Sequence, residues 1–202
     1  MIALAASVGD DASQQAQLGR LFLRAQDYNH ALEAYRLSLR LKRDNPAALA
    51  GAGEAAFNLG FYPMAQRYLQ SAVAASPKDA ESADRLRMTR FVLRMDPYRP
   101  QIPVARRNRM VVAALAVAGN RLKSCATPGG GAAPPAPLQN LTQQWTKLKP
   151  RITERGLRQD PDLANTAMTL VFNIEHQAEA SCGAPAETDS ALLLIAKLHE
   201  EK

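Results

Sequence analysis

A 34-residue period constrains this chain more than any other feature. Between Leu18 and Pro77 one pattern occurs twice: Leu18-Gly19 returns as Ala52-Gly53, Phe22 as Ala56, Tyr28 as Tyr62, Ala31 as Ala65, Tyr35 as Leu69 and Ser38 as Ala72. A unit this short cannot bury its apolar face alone, so repetition at a fixed period predicts stacked supersecondary units. Each unit reads as two helices. Gln15, Leu18, Gly19, Phe22 and Ala25 keep helical spacing. Asp27 is suited to cap a second helix carrying Ala31, Leu32, Tyr35, Ser38, Leu39 and Leu41. Leu49, Ala52, Gly53, Ala56 and Leu59 then precede the turn Gly60-Phe61-Tyr62, and Ala65, Leu69, Ala72 and Ala75 lead to Pro77. Gly19 predicts a second helix so close that a larger side chain would block it.

On these positions the stretch from about residue 12 to 79 resembles the tetratricopeptide repeat (TPR) family. It departs from the family pattern at Arg43, where a terminal proline is usual. The resemblance covers about a third of the chain and implies a helical scaffold that docks a protein partner. It also implies the partner-facing residues: Arg20, Leu23 and Arg24 in the first repeat, and Glu54, Phe57 and Asn58 in the second. Some members of the family grip a C-terminal carboxylate with lysine and asparagine. Ala16 and Gly51 stand at such positions here, so that ligand is not expected.

A third unit opens at Lys78-Asp79-Ala80, but Arg87 replaces the small residue and Arg90 the next contact. A helix over about 80–95 is therefore expected to cap the array. Three prolines in 97–103 forbid continuous helix and mark a joint. The expected organisation is an N-terminal segment 1–11, a TPR-like domain 12–96, a proline-rich joint 97–103 and a C-terminal domain 104–202. That last domain is read as four helices: Pro103 to Ser124, with the apolar run Met110–Ala118; Leu138 to about Gly156, kinked or broken at Pro150; a helix from Pro161 ending at Cys182-Gly183; and Ala191 to about Glu200, capped by Thr188-Asp189. The fold class expected is all-α. An alanine-rich composition with 5% aromatic residues agrees, because few β-branched or aromatic residues are left to build sheets.

No G-x-S-x-G, Walker glycine loop, dinucleotide fingerprint or H-E-x-x-H occurs, so no enzyme activity, cofactor or metal site is expected, and no small-molecule substrate. Gly129-Gly130-Gly131 lies in a Gly/Pro/Ala loop rather than at a helix start. Cys125 and Cys182 both fall at helix ends beside glycine- and proline-rich loops and are candidates for a disulfide. A bridge would agree with export to the bacterial periplasm or cell envelope; free thiols would agree with the cytoplasm. The apolar stretch 1–8 is open to two readings, a frayed start or the remnant of an export or anchor segment. The net charge is +6. Arg85, Arg87, Arg90, Arg94, Arg99, Arg106, Arg107 and Arg109 form a basic band suited to carboxylate or phosphate. The function expected is therefore a non-enzymatic scaffold or accessory subunit of a larger complex. The alternative is an adaptor that meets an anionic surface (lipid headgroups, with peripheral membrane contact, an acidic protein or nucleic acid) through the arginine band. Nothing interleaves aromatics with the band or forms a helix-turn-helix, which argues against nucleic acid.

Overall fold

Asp11, Asn45 and Asp79 stand 34 residues apart, and each accepts hydrogen bonds from the opening amides of a helix. These caps start α1 (Ala12–Arg24), α3 (Pro46–Asn58) and α5 (Ala80–Met95). Between them run α2 (Tyr28–Leu41) and α4 (Tyr62–Ala75). The period is kept in the turns as well. Gln26 (φ 58°) and Gly60 (φ 72°) both take the left-handed conformation. Asp27 N–H donates to the Phe22 carbonyl and, 34 residues on, Phe61 N–H donates to that of Ala56, each at 2.9 Å. Each pair is a helix C-terminus closed by a six-residue loop.

The computed structural model describes residues 11–126 and 135–200. The expectations for segment 1–10 and for most of the loop after Thr127, its glycines included, lie outside the described residues. The described residues form ten α-helices and no strand, so the protein is all-α. They divide into two units, at Leu93 and Arg94 within α5.

In the first unit α1 packs on α2, α2 on α3 and α3 on α4, while α1 also touches α3. The core is built on alanine: Ala31, Ala48, Ala52, Ala55, Ala56 and Ala65 are fully buried. Two of the larger side chains, Tyr35 and Leu69, lie directly over glycines. A Cβ on Gly19 would lie 2.9 Å from the Tyr35 ring, and one on Gly53 would lie 2.6 Å from Leu69 Cγ. The same helix-on-helix contact thus recurs one period later with Leu69 in place of Tyr35. Ser38 is fully buried; its hydroxyl donates to the Ala12 carbonyl at 2.6 Å and accepts from Asn45 at 3.3 Å, tying the end of α2 to the starts of α1 and α3. Leu86 of α5 joins this core. Arg87, one period after Gly53, is exposed and paired with Asp84 at 3.1 Å.

The second unit contains α6 (Val104–Ala126), α7 (Ala136–Leu148), the short α8 (Glu154–Gln159), α9 (Leu163–Cys182) and α10 (Glu187–Glu200). The helical stretch expected from Leu138 to about Gly156 is broken at Pro150, as expected: α7 stops at Leu148 and α8 restarts under a Thr153 cap. Helix α9 begins two residues past Pro161. Helix α10 begins four residues ahead of Ala191, so Asp189 sits inside its first turn and accepts from the Ala186 amide at 3.0 Å. Helix α6 is the centre, packed against each of the other four. The apolar run Met110–Ala118 is not buried throughout: Ala113 and Ala116 are exposed, because alanine is small enough to face solvent at little cost. Trp145 of α7 lies over Gly119 and donates its indole N–H to the Leu115 carbonyl at 2.9 Å. His199 of α10 meets Asp96 at 3.2 Å and the Tyr98 ring at 4.6 Å between centroids.

Cys125 and Cys182 are bonded as a disulfide, with Cα atoms 5.4 Å apart. They belong to the last turns of α6 and α9, so these two helices run parallel with their C-terminal ends joined. Among the described residues, no helix is long and apolar enough to cross a membrane.

Candidate functional site

Helices α1 and α3 lie side by side in the first unit, and six side chains singled out in the sequence fall on them. Arg20, Arg24 and Asn58 are exposed; Leu23, Glu54 and Phe57 are half-buried. Arg20 and Glu54 are brought near one group, the hydroxyl of Tyr35. Burial, then the Glu54 carboxylate, push the Tyr35 pKa up from 10.0 to about 12, against a smaller lowering by Arg20. Tyr35 itself lies over Gly19 and Gly51, where any Cβ would strike its ring. Glu54 is paired with a cation of another helix: Arg85 of α5 reaches it at 3.3 Å while holding Glu81 at 2.9 Å. A charged line, Arg20, Glu54 and Arg85, therefore crosses α1, α3 and α5.

Leu23 and Phe57 both pack on the core with part of each surface open. The Phe57 ring meets Tyr62 edge-on at 5.5 Å, which fixes its orientation. Asn58 does not project as a free amide; it donates to the Glu54 carbonyl at 2.9 Å, within its own helix. Arg24 ends α1 with no ion pair among the described residues, where a cation also complements the helix dipole.

The arginine band resolves into two groups. Arg87 and Arg90 are exposed on the first unit, and Arg85 is taken up by Glu54 and Glu81. Arg94, Arg106, Arg107 and Arg109 are exposed on the second, with Arg109 at 3.9 Å from Glu154. Helix α6 has no acidic residue in its first turn, so Arg106 and Arg107 sit at the positive end of a helix.

Two features had no counterpart in the sequence reading. A groove of about 610 Å³ opens between α2 and α4, lined by Glu33, Arg36, Arg40 and Arg43 with Leu37 and Tyr68. In the second unit Glu175 is 1% exposed and neither carboxylate oxygen has a hydrogen-bond partner. Its pKa is pushed up to about 8, first by burial and then by Asp189, against a smaller lowering by Arg121. Arg121 is turned elsewhere, donating to the Gly183 carbonyl at 2.6 Å beside the disulfide. The described residues contain no cluster of side chains that could hold a metal ion. No protein-family model, curated protein or solved structure matches this chain.

Proposed function

We propose that the protein is a non-enzymatic scaffold of the TPR type that docks a protein partner on the α1–α3 face. One observation carries the reading: two half-buried apolar anchors, Leu23 and Phe57, lie on adjoining helices that also carry Arg20, Arg24 and Glu54. Oriented aromatic anchors within charged surroundings are what binding energy concentrates on. The recurrence of caps, turns and the glycine-backed contact at a period of 34 supports the TPR assignment. The disulfide supports placement in an oxidising compartment, the bacterial periplasm or cell envelope, over the cytoplasm.

A second reading draws on Arg106 and Arg107, which stand against the helix dipole and would be relieved by an external anion. In that reading the chain is an adaptor for an anionic surface. Affinity capture from the native source across a salt series tests both. The scaffold reading expects a protein partner retained at high salt and lost from a Phe57→Ala bait. Capture that falls steeply with salt and follows Arg106→Glu instead of Phe57→Ala replaces it with the adaptor.

A further inference from the structure

The groove between α2 and α4, about 610 Å³ in volume, is lined by side chains that solvent reaches. Glu33, Arg36, Arg40 and Arg43 are exposed, Leu37 is 38% exposed and Tyr68 is half-buried. The side chains of Arg36, Arg40 and Arg43 form no ion pair or hydrogen bond among the described residues. Elsewhere in the first unit Arg85 and Arg87 are each held by a carboxylate. One carboxylate, Glu33, faces the groove with the three guanidinium groups, so the space is cationic.

The charges form a row. Arg36 and Arg40 share a face of α2, one turn and about 6 Å apart along its axis. Arg43 lines the same groove just past the end of the helix. Alternate side chains of an extended peptide fall on one side at a spacing of about 7 Å. Acidic residues at alternate positions can therefore meet successive arginines, and each guanidinium can offer a carboxylate two parallel N–H bonds. The intervening side chain turns to the opposite wall, where the Tyr68 ring of α4 stands. The Tyr68 hydroxyl bonds to no described residue and can meet the peptide backbone.

Other occupants fit less well. A flat lipid surface does not follow a concave groove. Tyr68 is packed against the core, which leaves no lining aromatic to stack a base. A second copy of this chain, at net charge +6, brings more of the same charge. We propose that the α2–α4 groove docks a short, extended acidic segment of a partner protein, with aspartate or glutamate on alternate residues paired to the arginine row and an apolar residue between them against Tyr68. The site is separate from the α1–α3 face, because none of its lining residues belongs to those helices. Its ligand is additional to the protein read by that face.

The test is fluorescence anisotropy of the full-length protein at low salt with a labelled, capped peptide, Ser-Asp-Leu-Asp-Leu-Asp-Ser. Replacing its aspartates by asparagine should weaken binding at least roughly tenfold, the loss of one or more charge-assisted pairs. Replacing its leucines by serine should weaken binding at least roughly threefold. Arg36→Glu/Arg40→Glu should lower affinity for the acidic peptide at least roughly tenfold, with an unchanged melting temperature because both positions are exposed. Arg90→Glu/Arg106→Glu alters the net charge equally on other surfaces and should leave the affinity within about twofold. Equal loss in the two double variants reduces the attraction to net charge and overturns the groove. Equal affinity for the asparagine peptide overturns the acidic assignment, and equal affinity for the serine peptide overturns the apolar contact. Tighter binding of oligothymidylate or of phosphatidylglycerol vesicles, lost in Arg36→Glu/Arg40→Glu, overturns the peptide as occupant. Absence of peptide binding overturns the site.

Discussion

Tyr35 shows how one side chain can set the spacing of three helices. It projects from α2 onto Gly19 of α1 and Gly51 of α3, and leaves no room for a methyl group on either. Gly51→Ala should therefore destabilise the protein by roughly 1–3 kcal/mol by overpacking, despite the better helix propensity of alanine. In a Tyr35→Leu background the loss should shrink, because leucine is what the second repeat uses at the matching position; urea denaturation of the four proteins measures both. Glu175 acts at the same scale through its proton. The folded state holds that proton up to about pH 8, while the unfolded chain releases it near 4.5. Stability should then fall as pH rises between those values and stay level above them. Glu175→Gln should remove that slope. It should gain roughly 2–5 kcal/mol over the wild type above pH 8 and nothing at pH 4, read from unfolding midpoints.

At the scale of elements, the helices were legible in the sequence and some of their boundaries were not. The hairpins follow from apolar and small residues at helical spacing, which the core at Leu18, Phe22, Ala52 and Ala56 repeats. The caps Asp11, Asn45 and Asp79 are aligned by period, but asparagine interrupts the two aspartates, so a pattern of identities between successive repeats passes over them. Short α8 has too few residues to display a period. Glu175 could have been noticed: it stands four residues after Val171, in register with the buried stripe of α9. The partner-facing residues came from family resemblance. The ion pair of Glu54 with Arg85 depends on helices 31 residues apart in sequence meeting in space, and no local pattern encodes that. The disulfide ties α6 and α9 at their C-terminal ends across a sequence separation of 57. Unreduced protein should show no titratable thiol. Cys125→Ser with Cys182→Ser should cost about 4 kcal/mol of unfolding free energy if loop closure dominates. Two thiols in the native sample would remove the bridge and the support it gives to an exported location.

At the scale of the whole molecule, each unit offers a different kind of surface. The first presents a rigid helical face whose apolar anchors are held by an alanine-packed core, and rigidity favours docking because little side-chain entropy remains to be lost. The second is a disulfide-linked helical unit with its own cavity. The central claim is that a protein partner reads the α1–α3 face. The most direct measurement is the dissociation constant of the captured partner for three proteins: wild type, the double variant Arg24→Glu/Phe57→Ala, and Arg36→Glu/Arg40→Glu in the groove between α2 and α4. The double variant at Arg24 and Phe57 should bind at least roughly a hundredfold more weakly, the loss expected for one anchor and one charge. The groove variant should match the wild type. Unchanged affinity for the first pair, or loss confined to the second, would contradict docking on α1 and α3.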